Sequence, residues 1–348
     1  MFFPKKQSLI GLDIGSHTVK AVEIESLPNG QHRLVNFGIS EPLHEAIVDG
    51  EIMDRQLVTD AIANLLETRG IKTRSVVAAV SGRAVIVKKI TMQNLNQDDA
   101  RQAILWEAEQ HVPYDINDVS LDFEVLGPAA DGKQQQVLLV AAKKDMVLSF
   151  ADLIREAGLT PVVIDVDSFA IQNALSANYD FVPGEVIAIL NVGSEITNIN
   201  IVQNGVPYFT KDLQIGGASF IDAVQRRYNV TREVASAALA GQRADLDVAP
   251  VVEQTCESLA TALERAQAYL RTTGETGPIG RIMLAGGGSM TPGLVPFLES
   301  RFSVPTEIAN PLARVQYDPA LFGDKDPATV SPFLTVGVGL ALRKAGDK

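Results

Sequence analysis

The stretch LDIGSHTVKAVEI, Leu12 to Ile24, is echoed in the second half of the chain by LNVGSEITNINIV, Leu190 to Val202. Each runs along an apolar strand, bends at Gly-Ser, and leaves on a strand whose Val and Ile residues alternate with polar ones. Alternation of period two marks a strand with one buried face, and a Gly-Ser bend between two such strands marks a hairpin. A single copy reads equally well as an ordinary hairpin turn. Two copies, each leading into strands and helices, predict two related α/β halves.

The segments between these hairpins fill in the halves. HRLVNFGI reads as a strand, followed by a helix opened by Asp54 and closed by Gly70, with Val58, Ala61, Ile62, Leu65 and Leu66 on one face. TRSVVAAVSG and VIVKKITM read as strands, DDARQAILWEAEQHV as a helix ended by Pro113, VSLDFEVLG and QQVLLVAAK as strands around the turn PAADGK, and DMVLSFADLIREAGL as a helix stopped at Gly158. That β-α-β-β-α order predicts a subdomain inserted over residues 75–158. The expected division is a first domain over 1–185 carrying that insertion and a second over 186–348 with a helical subdomain at 217–280.

Charge and composition remove several functions. The formal net charge is −12, with 42 acidic against 30 dispersed basic residues, so the electrostatic footprint of a nucleic-acid binder is absent. The lone Cys256 sits in a helical stretch and is expected as core filler, and four His and one Cys form no transition-metal spacing. No window has the run of about 18 apolar residues that a membrane helix needs. MFFPKKQSLIG lacks a signal peptide's apolar segment, and TVGVGLALRKAGDK reads as a buried stretch with a short polar end rather than an amphipathic anchor. A cytoplasmic protein that meets a membrane only through partners is expected.

In the first bend, Asp13 ends an apolar strand and Gly15 and Ser16 make the turn, so the amides of Ser16, His17 and Thr18 form a nest for an anion. Lys20 supplies a point charge for a phosphate, and Asp13 a carboxylate for a water of Mg²⁺, an ion that keeps most of its waters. The second bend offers Gly193, Ser194, Glu195 and Thr197, with Asn191 where the first has an acid. A third element, AGGGSMTPGL, puts Gly286, Gly287, Gly288, Ser289 and Met290 between a strand and a helix, a run of glycines suited to lying flat against a nucleoside. A fourth, LQIGGASF, sets Gly216 and Gly217 ahead of a helix whose N-terminus suits a phosphate. Neither a P-loop nor a dinucleotide-binding glycine motif is present.

These elements in this order resemble the actin-like ATPase superfamily, which has a ribonuclease H-like fold: LDIGSHT as first phosphate turn, IDVDSFAIQNAL as first connecting helix, LNVGSEIT as second phosphate turn, AGGGSMTPG as adenosine turn, TVGVGLAL as second connecting helix. AILWEAEQHVPYDINDVSLDFEVLG, VLLVAAKKD and AGLTPVVIDVDSFAIQNA narrow the resemblance to the PilM family of type IV pilus assembly proteins, which is similar to the division protein FtsA. The resemblance implies ATP or ADP with Mg in an interdomain cleft, a groove between the first domain and its insertion that grips the N-terminal cytoplasmic peptide of PilN, and a link between the pilus platform and motor proteins at the inner face of the inner membrane. Its setting is pilus biogenesis and twitching motility.

Departures from the superfamily pattern bear on catalysis. Asn191 stands where an Asp is common, and Glu233 has no Lys one turn later. Hydrolysis needs a group that orients water toward the γ-phosphate. The candidates are Asp165, Asp167 and Gln172, but Asp167 directly precedes SFAIQNAL and reads better as its N-cap. The expectation is a nucleotide-dependent scaffold with at most weak ATPase activity; an FtsA-like filament protein and a small-molecule kinase are the alternatives. Trp106 is expected in packing, with a peptide groove as the other reading, and His17 is expected to offer its backbone N–H rather than its ring.

Overall fold

A computed structural model defines residues 9–344 except 49, 83, 130, 131 and 275. The expectations for MFFPKKQS and for the terminal AGDK lie outside the described residues. Among the described residues no helix is long and apolar enough to cross a membrane.

The chain opens with β1 (Ile10–Ile14), β2 (Val19–Ser26) and β3 (His32–Ile39), an antiparallel meander. After the short pair β4 (Ile47–Val48) and β5 (Glu51–Ile52) comes α1 (Arg55–Thr68). Asp54 caps α1 by accepting from the Leu57 N–H at 3.0 Å, and Val58, Ile62, Leu65 and Leu66 bury its inner face against the sheet. Then β6 (Ser75–Val80) joins β1 in parallel.

The insertion follows: β7 (Val85–Gln93), α2 (Gln97–His111), β8 (Val119–Pro128) and β9 (Gln134–Lys143), a three-stranded antiparallel sheet in the order β7-β9-β8. Ile104, Ala100 and Ala108 of α2 pack on Val137, Leu139 and Ala141 of β9 to give it a core of its own. The first lobe resumes with α3 (Lys144–Glu156), β10 (Thr160–Val166) and α4 (Asp167–Asn178). β10 pairs with β6 in parallel, and Leu153 and Ile154 of α3 are buried with Ile10 and Leu12 of β1.

The expected insertion limits of 75–158 are therefore too wide. SVVAAV is a strand of the main sheet and DMVLSFADLIRE covers that sheet, so the separate unit is β-α-β-β over 85–143. An apolar strand buried on both faces reads the same in either sheet, and only the pairing partner tells them apart.

The second lobe repeats the plan. β11 (Val186–Val192), β12 (Thr197–Gln203) and β13 (Val206–Leu213) form a second antiparallel meander, followed by α5 (Gly217–Tyr228), α6 (Arg232–Leu239) and α7 (Ala249–Thr273). β14 (Arg281–Ala285), α8 (Leu294–Phe302) and β15 (Thr306–Ile308) add two strands parallel to β11. The sheets run β13-β12-β11-β14-β15 in the second lobe and β10-β6-β1-β2-β3 in the first, the latter extended beyond β3 by a short sixth strand from the end of the chain; each has three antiparallel strands joined by two parallel ones, with a Gly-Ser bend between the first two strands of the meander. The bends close alike, Gly15 N–H to Thr18 O at 3.2 Å and Gly193 N–H to Ile196 O at 2.9 Å. Cys256 is fully buried in α7 against the second sheet.

The chain then returns to the first lobe. β16 (Val315–Gln316) pairs with β3, and after α9 (Pro327–Val330) the last helix, α10 (Thr335–Ala341), is buried along its length, with Val338 and Ala341 against Val22 of β2 and Ala174 of α4. The segment from about residue 310 onward thus departs from the expected 186–348 division, because its apolar side chains complete the first lobe's core. α4 and α10 are the two crossings between lobes, and glycines set their spacing. A Cβ on Gly339 of α10 would lie 1.7 Å from Ala170 O of α4, and one on Gly11 of β1 would lie 2.0 Å from Gly337 O of α10.

Candidate functional site

Between the lobes lies a cavity of about 730 Å³. Both bends line it, residues 13–18 from the first lobe and Gly193, Ser194 and Ile196 from the second, with Gly217, Gly286, Gly287, Gly288 and Met290. Among the described residues the N–H groups of Ser16, His17 and Thr18 take part in no backbone hydrogen bond.

Lys20 and Asp13 form an ion pair at 3.2 Å, both largely buried, so the carboxylate and the ammonium sit together at the mouth of the first bend. Asp13 and Asp167 are the carboxylate residues that the first lobe contributes to the cavity lining. Among the described residues no three His, Cys, Asp or Glu side chains cluster in a way that could hold a metal ion. His17 has its pKa lowered, first by burial and then by Arg232, Lys20 and His44, so the imidazole is neutral at pH 7 and does not compete with the amides as a cation.

Asp167 does not cap α4. Val166 is the N-cap residue, and the Asp167 carboxylate instead lines the cavity, hydrogen-bonded to Ser81. Burial, then the charge of Asp13, push its pKa up to about 7. The capping expectation fails because the chain enters the helix directly from β10, leaving no extended residue for Asp167 to occupy. Asp165 and Gln172 do not reach the cleft. Asp165 is buried in an ion pair with Arg343 at 3.3 Å, its pKa raised by burial against the opposing pull of that arginine. Gln172 donates to Gly205 O at 2.6 Å, on the β12–β13 turn.

Three other expected contacts are structural, and a fourth lies off the cavity. Thr197 is fully buried and donates to Ile215 O at 2.6 Å, and the buried Ser289 hydroxyl donates to Gly286 O at 2.6 Å. Gly216 is where backbone meets backbone: a Cβ there would lie 2.4 Å from Ser194 O. Glu195 lies on the second bend but is absent from the residues that line the cavity. The N–H groups of Gly217 and Ala218 donate to Gly193 O and Ser194 O at 2.9 and 2.8 Å, so the N-terminus of α5 fixes the second bend rather than offering those amides to a phosphate.

The three glycines of the AGGG turn each approach a neighbour too closely for a side chain. A Cβ would lie 2.5 Å from Val192 O at Gly286, 2.4 Å from the Phe333 ring at Gly287, and 2.5 Å from Val192 Cγ1 at Gly288; Gly286 also has φ +79. α6 adds Arg232, Glu233, Ser236 and Leu239 to the lining, and its C-cap residue Ala240 adds to it one turn beyond Ser236. Ser236 and Ala240 were readable in TREVASAALAG as small residues at i and i+4, a spacing that places them on one helix face. The lining thus combines the charged and amide groups of the first bend with the apolar side chains of Leu239, Met290 and Phe333, a mixture usual for a small-molecule site.

Trp106, expected in packing, is 74% exposed on α2, and Leu105 beside it is 49% exposed. Both face away from the Ile104 side of the helix, which alone packs on the insertion's sheet.

A family model described as type IV pilus assembly protein PilM matches residues 11–345. Among solved structures, a chain of a PilM-PilN type IV pilus biogenesis complex is similar with a TM-score of 0.86 and 28% identity, over 99% of this chain and 100% of that one. Ethanolamine utilization protein EutJ from Carboxydothermus hydrogenoformans (TM-score 0.56, 15% identity, 98% of this chain and 91% of that one) shares the fold. So does MreB5 of Spiroplasma citri bound to AMPPNP (TM-score 0.57, 13% identity, 97% and 95%). Cell division protein FtsA of Borreliella burgdorferi is 20% identical over 357 residues, covering 88% of this chain and 85% of that protein.

Proposed function

The chain belongs to the type IV pilus assembly protein PilM family, and from that premise we propose that it is an ATP-binding scaffold that docks the N-terminal cytoplasmic peptide of PilN. The observation that carries the nucleotide half is the convergence of two equivalent Gly-Ser bends, from different lobes, on one cavity. In this reading the Ser16, His17 and Thr18 amides and Lys20 hold the phosphates, Asp13 orients a water of Mg²⁺, and the base lies between α6 and the glycine turn. The metal supplies charge neutralisation for the polyphosphate. Asn191, an amide where an acid would strengthen the cation site, accepts from a metal-bound water without adding charge.

The peptide half rests on the likeness to the PilM chain of a PilM-PilN complex. The insertion, with its own core and its exposed Trp106 and Leu105, is the unit that meets the partner, and contacts with other platform and motor proteins at the inner face of the inner membrane follow from that docking. ATP acts as a ligand that favours one angle between the lobes and so the partner-binding conformation. Turnover is expected to be slow, and Asp167, which lines the cavity with its pKa raised to about 7, is the carboxylate placed to act on a water if hydrolysis occurs.

The test is a titration of the full chain with a peptide copying the cytoplasmic start of PilN, with and without Mg-ATP, while phosphate release is recorded. Saturable peptide binding with slow release is the expected result. Rapid phosphoryl transfer to a small alcohol or acid would replace the scaffold with a kinase, and nucleotide-driven polymerisation would replace it with a filament protein.

A further inference from the structure

Asn191, Asn198 and Asp212 stand abreast on β11, β12 and β13, Asn191 paired with Asn198 and Asn198 with Asp212. Their side chains form one row. Asn191 Nδ2 donates to Asn198 Oδ1 at 2.9 Å, and Asn198 Nδ2 donates to Asp212 Oδ1 at 2.7 Å. At the far end the Gly82 N–H donates to the second carboxylate oxygen, Asp212 Oδ2. At the near end Asn191 and Asn198 line the nucleotide cavity, and Asn191 Oδ1 lies so close to Gly286 that a Cβ there would be 2.6 Å away. The row begins at the cleft and ends outside it.

Gly82 lies just after β6 of the first lobe, where the chain leads into β7 of the insertion. Ser81, its neighbour, is hydrogen-bonded to Asp167 at the start of α4. The connector is thus tied on one side to the first lobe through Asp167 and on the other to the second lobe through Asp212. A second contact spans the same gap, the Lys89 ammonium 4.1 Å from the centre of the Tyr208 ring, but it joins β7 to β13 without reaching the cavity.

The row has a direction. Each amide spends its NH₂ on the next residue, so the last member must accept from both sides, from Asn198 and from the Gly82 N–H. A carboxylate does this and an amide does not: Asn at this position would oppose an NH₂ to one of two donors. Burial raises the pKa of Asp212, while the Asn198 and Gly82 bonds act against that shift. A half-buried anion held by two neutral donors is costly as packing alone, since replacing both partners by apolar groups is often neutral or stabilising.

We propose that Asp212 is the positioning residue through which occupancy of the nucleotide cavity sets the orientation of the inserted unit, residues 85–143. This rests on the reading of the cavity as a nucleotide site and of the insertion as the partner-binding unit. A change in the angle between the lobes moves Asp212 relative to Asp167, and the connector held between them carries β7 with it. The coupling is reciprocal: partner on the insertion tightens nucleotide in the cleft by the same factor.

The test uses the full-length chain and two variants, Asp212→Asn, which keeps the shape, and Asp212→Ala. Mg-ATP affinity, affinity for the PilN-derived peptide with and without Mg-ATP, and amide hydrogen exchange over residues 82–93 are measured for each. In the wild type, Mg-ATP is expected to change peptide affinity by about fivefold or more and to change protection over 82–93. In Asp212→Asn, Mg-ATP affinity stays within about twofold while both effects shrink below about twofold, the loss expected when a coupling term is removed and not a binding contact. Coupling that survives in both variants overturns the proposal. A wild type that binds Mg-ATP with no change in protection over 82–93 also overturns it and leaves the nucleotide site standing, whereas a wild type that binds no nucleotide overturns the underlying reading as well. Circular dichroism of Asp212→Asn separates lost coupling from lost fold.

Discussion

Gly339 of α10 crosses Ala170 of α4 so closely that a Cβ on Gly339 would sit 1.7 Å from the Ala170 carbonyl oxygen. The neighbouring atoms are backbone, which a rotamer change does not move aside. The contact holds the two inter-lobe helices at the smallest separation their main chains allow, and it explains the spacing of glycines in TVGVGLAL. Overpacking a core costs typically about 1–3 kcal/mol and sometimes more, so Gly339→Ala is expected to destabilise the protein by about 3 kcal/mol or more in urea unfolding. Gly277, with nothing within 4 Å of its ideal Cβ, is the control, and Gly277→Ala is expected to be near neutral. Equal midpoints for the two variants would contradict the close crossing.

At the nucleotide site, Asp13→Ala removes the acid expected to orient a cation-bound water and frees Lys20 from its 3.2 Å partner. Mg-dependent ATP affinity should fall by about 10- to 100-fold, the usual loss when an outer-shell carboxylate is removed. Gly287→Val should abolish ATP retention for a different reason, because the new side chain must displace the Phe333 ring that lines the same cavity. Calorimetric titration checks both, and a variant that keeps full affinity takes its residue out of the site.

Stability of the nucleotide-free protein should depend on pH through Asp167. Its folded pKa of about 7 exceeds the ordinary 3.8, so the folded state holds a proton that the unfolded chain releases between those values. The contribution of this group to stability is then greatest below about pH 4, declines as pH rises toward 7, and levels off above it, with about 4 kcal/mol as the upper bound at about 1.4 kcal/mol per pKa unit. Asp167→Asn should flatten this decline and raise the thermal midpoint at pH 8. An unchanged pH slope in that variant would place the titration elsewhere.

Trp106 is largely exposed on α2, so Trp106→Ala should leave the unfolding midpoint within about 0.5 kcal/mol of wild type, as surface substitutions usually do. A loss of several kcal/mol would return the indole to a core.

The two bends, the glycine turn and the connecting helices were legible because each imposes a local requirement on residue type: small residues where backbone must approach, and alternation where one strand face is buried. What escaped depended on pairing between distant segments. SVVAAV gave no sign that it adds to β1 rather than to the insertion, and ARVQY gave none that it returns to β3. Asp167 was misread for a similar reason, since an acid before a helical run is a common cap, and only the direct passage from β10 into α4 turns its carboxylate into the cleft. The polar row of Asn191, Asn198 and Asp212 was spread over three strands, and its continuity exists only in the register that brings them abreast.

The most direct test of the central claim is a structure of the full-length chain with Mg and a non-hydrolysable ATP analogue. The account predicts a triphosphate held between the Gly15–Thr18 and Gly193–Ser194 bends with the base between α6 and Gly286–Met290. Density for the analogue on another surface, or phosphates touching one bend and not the other, would contradict it.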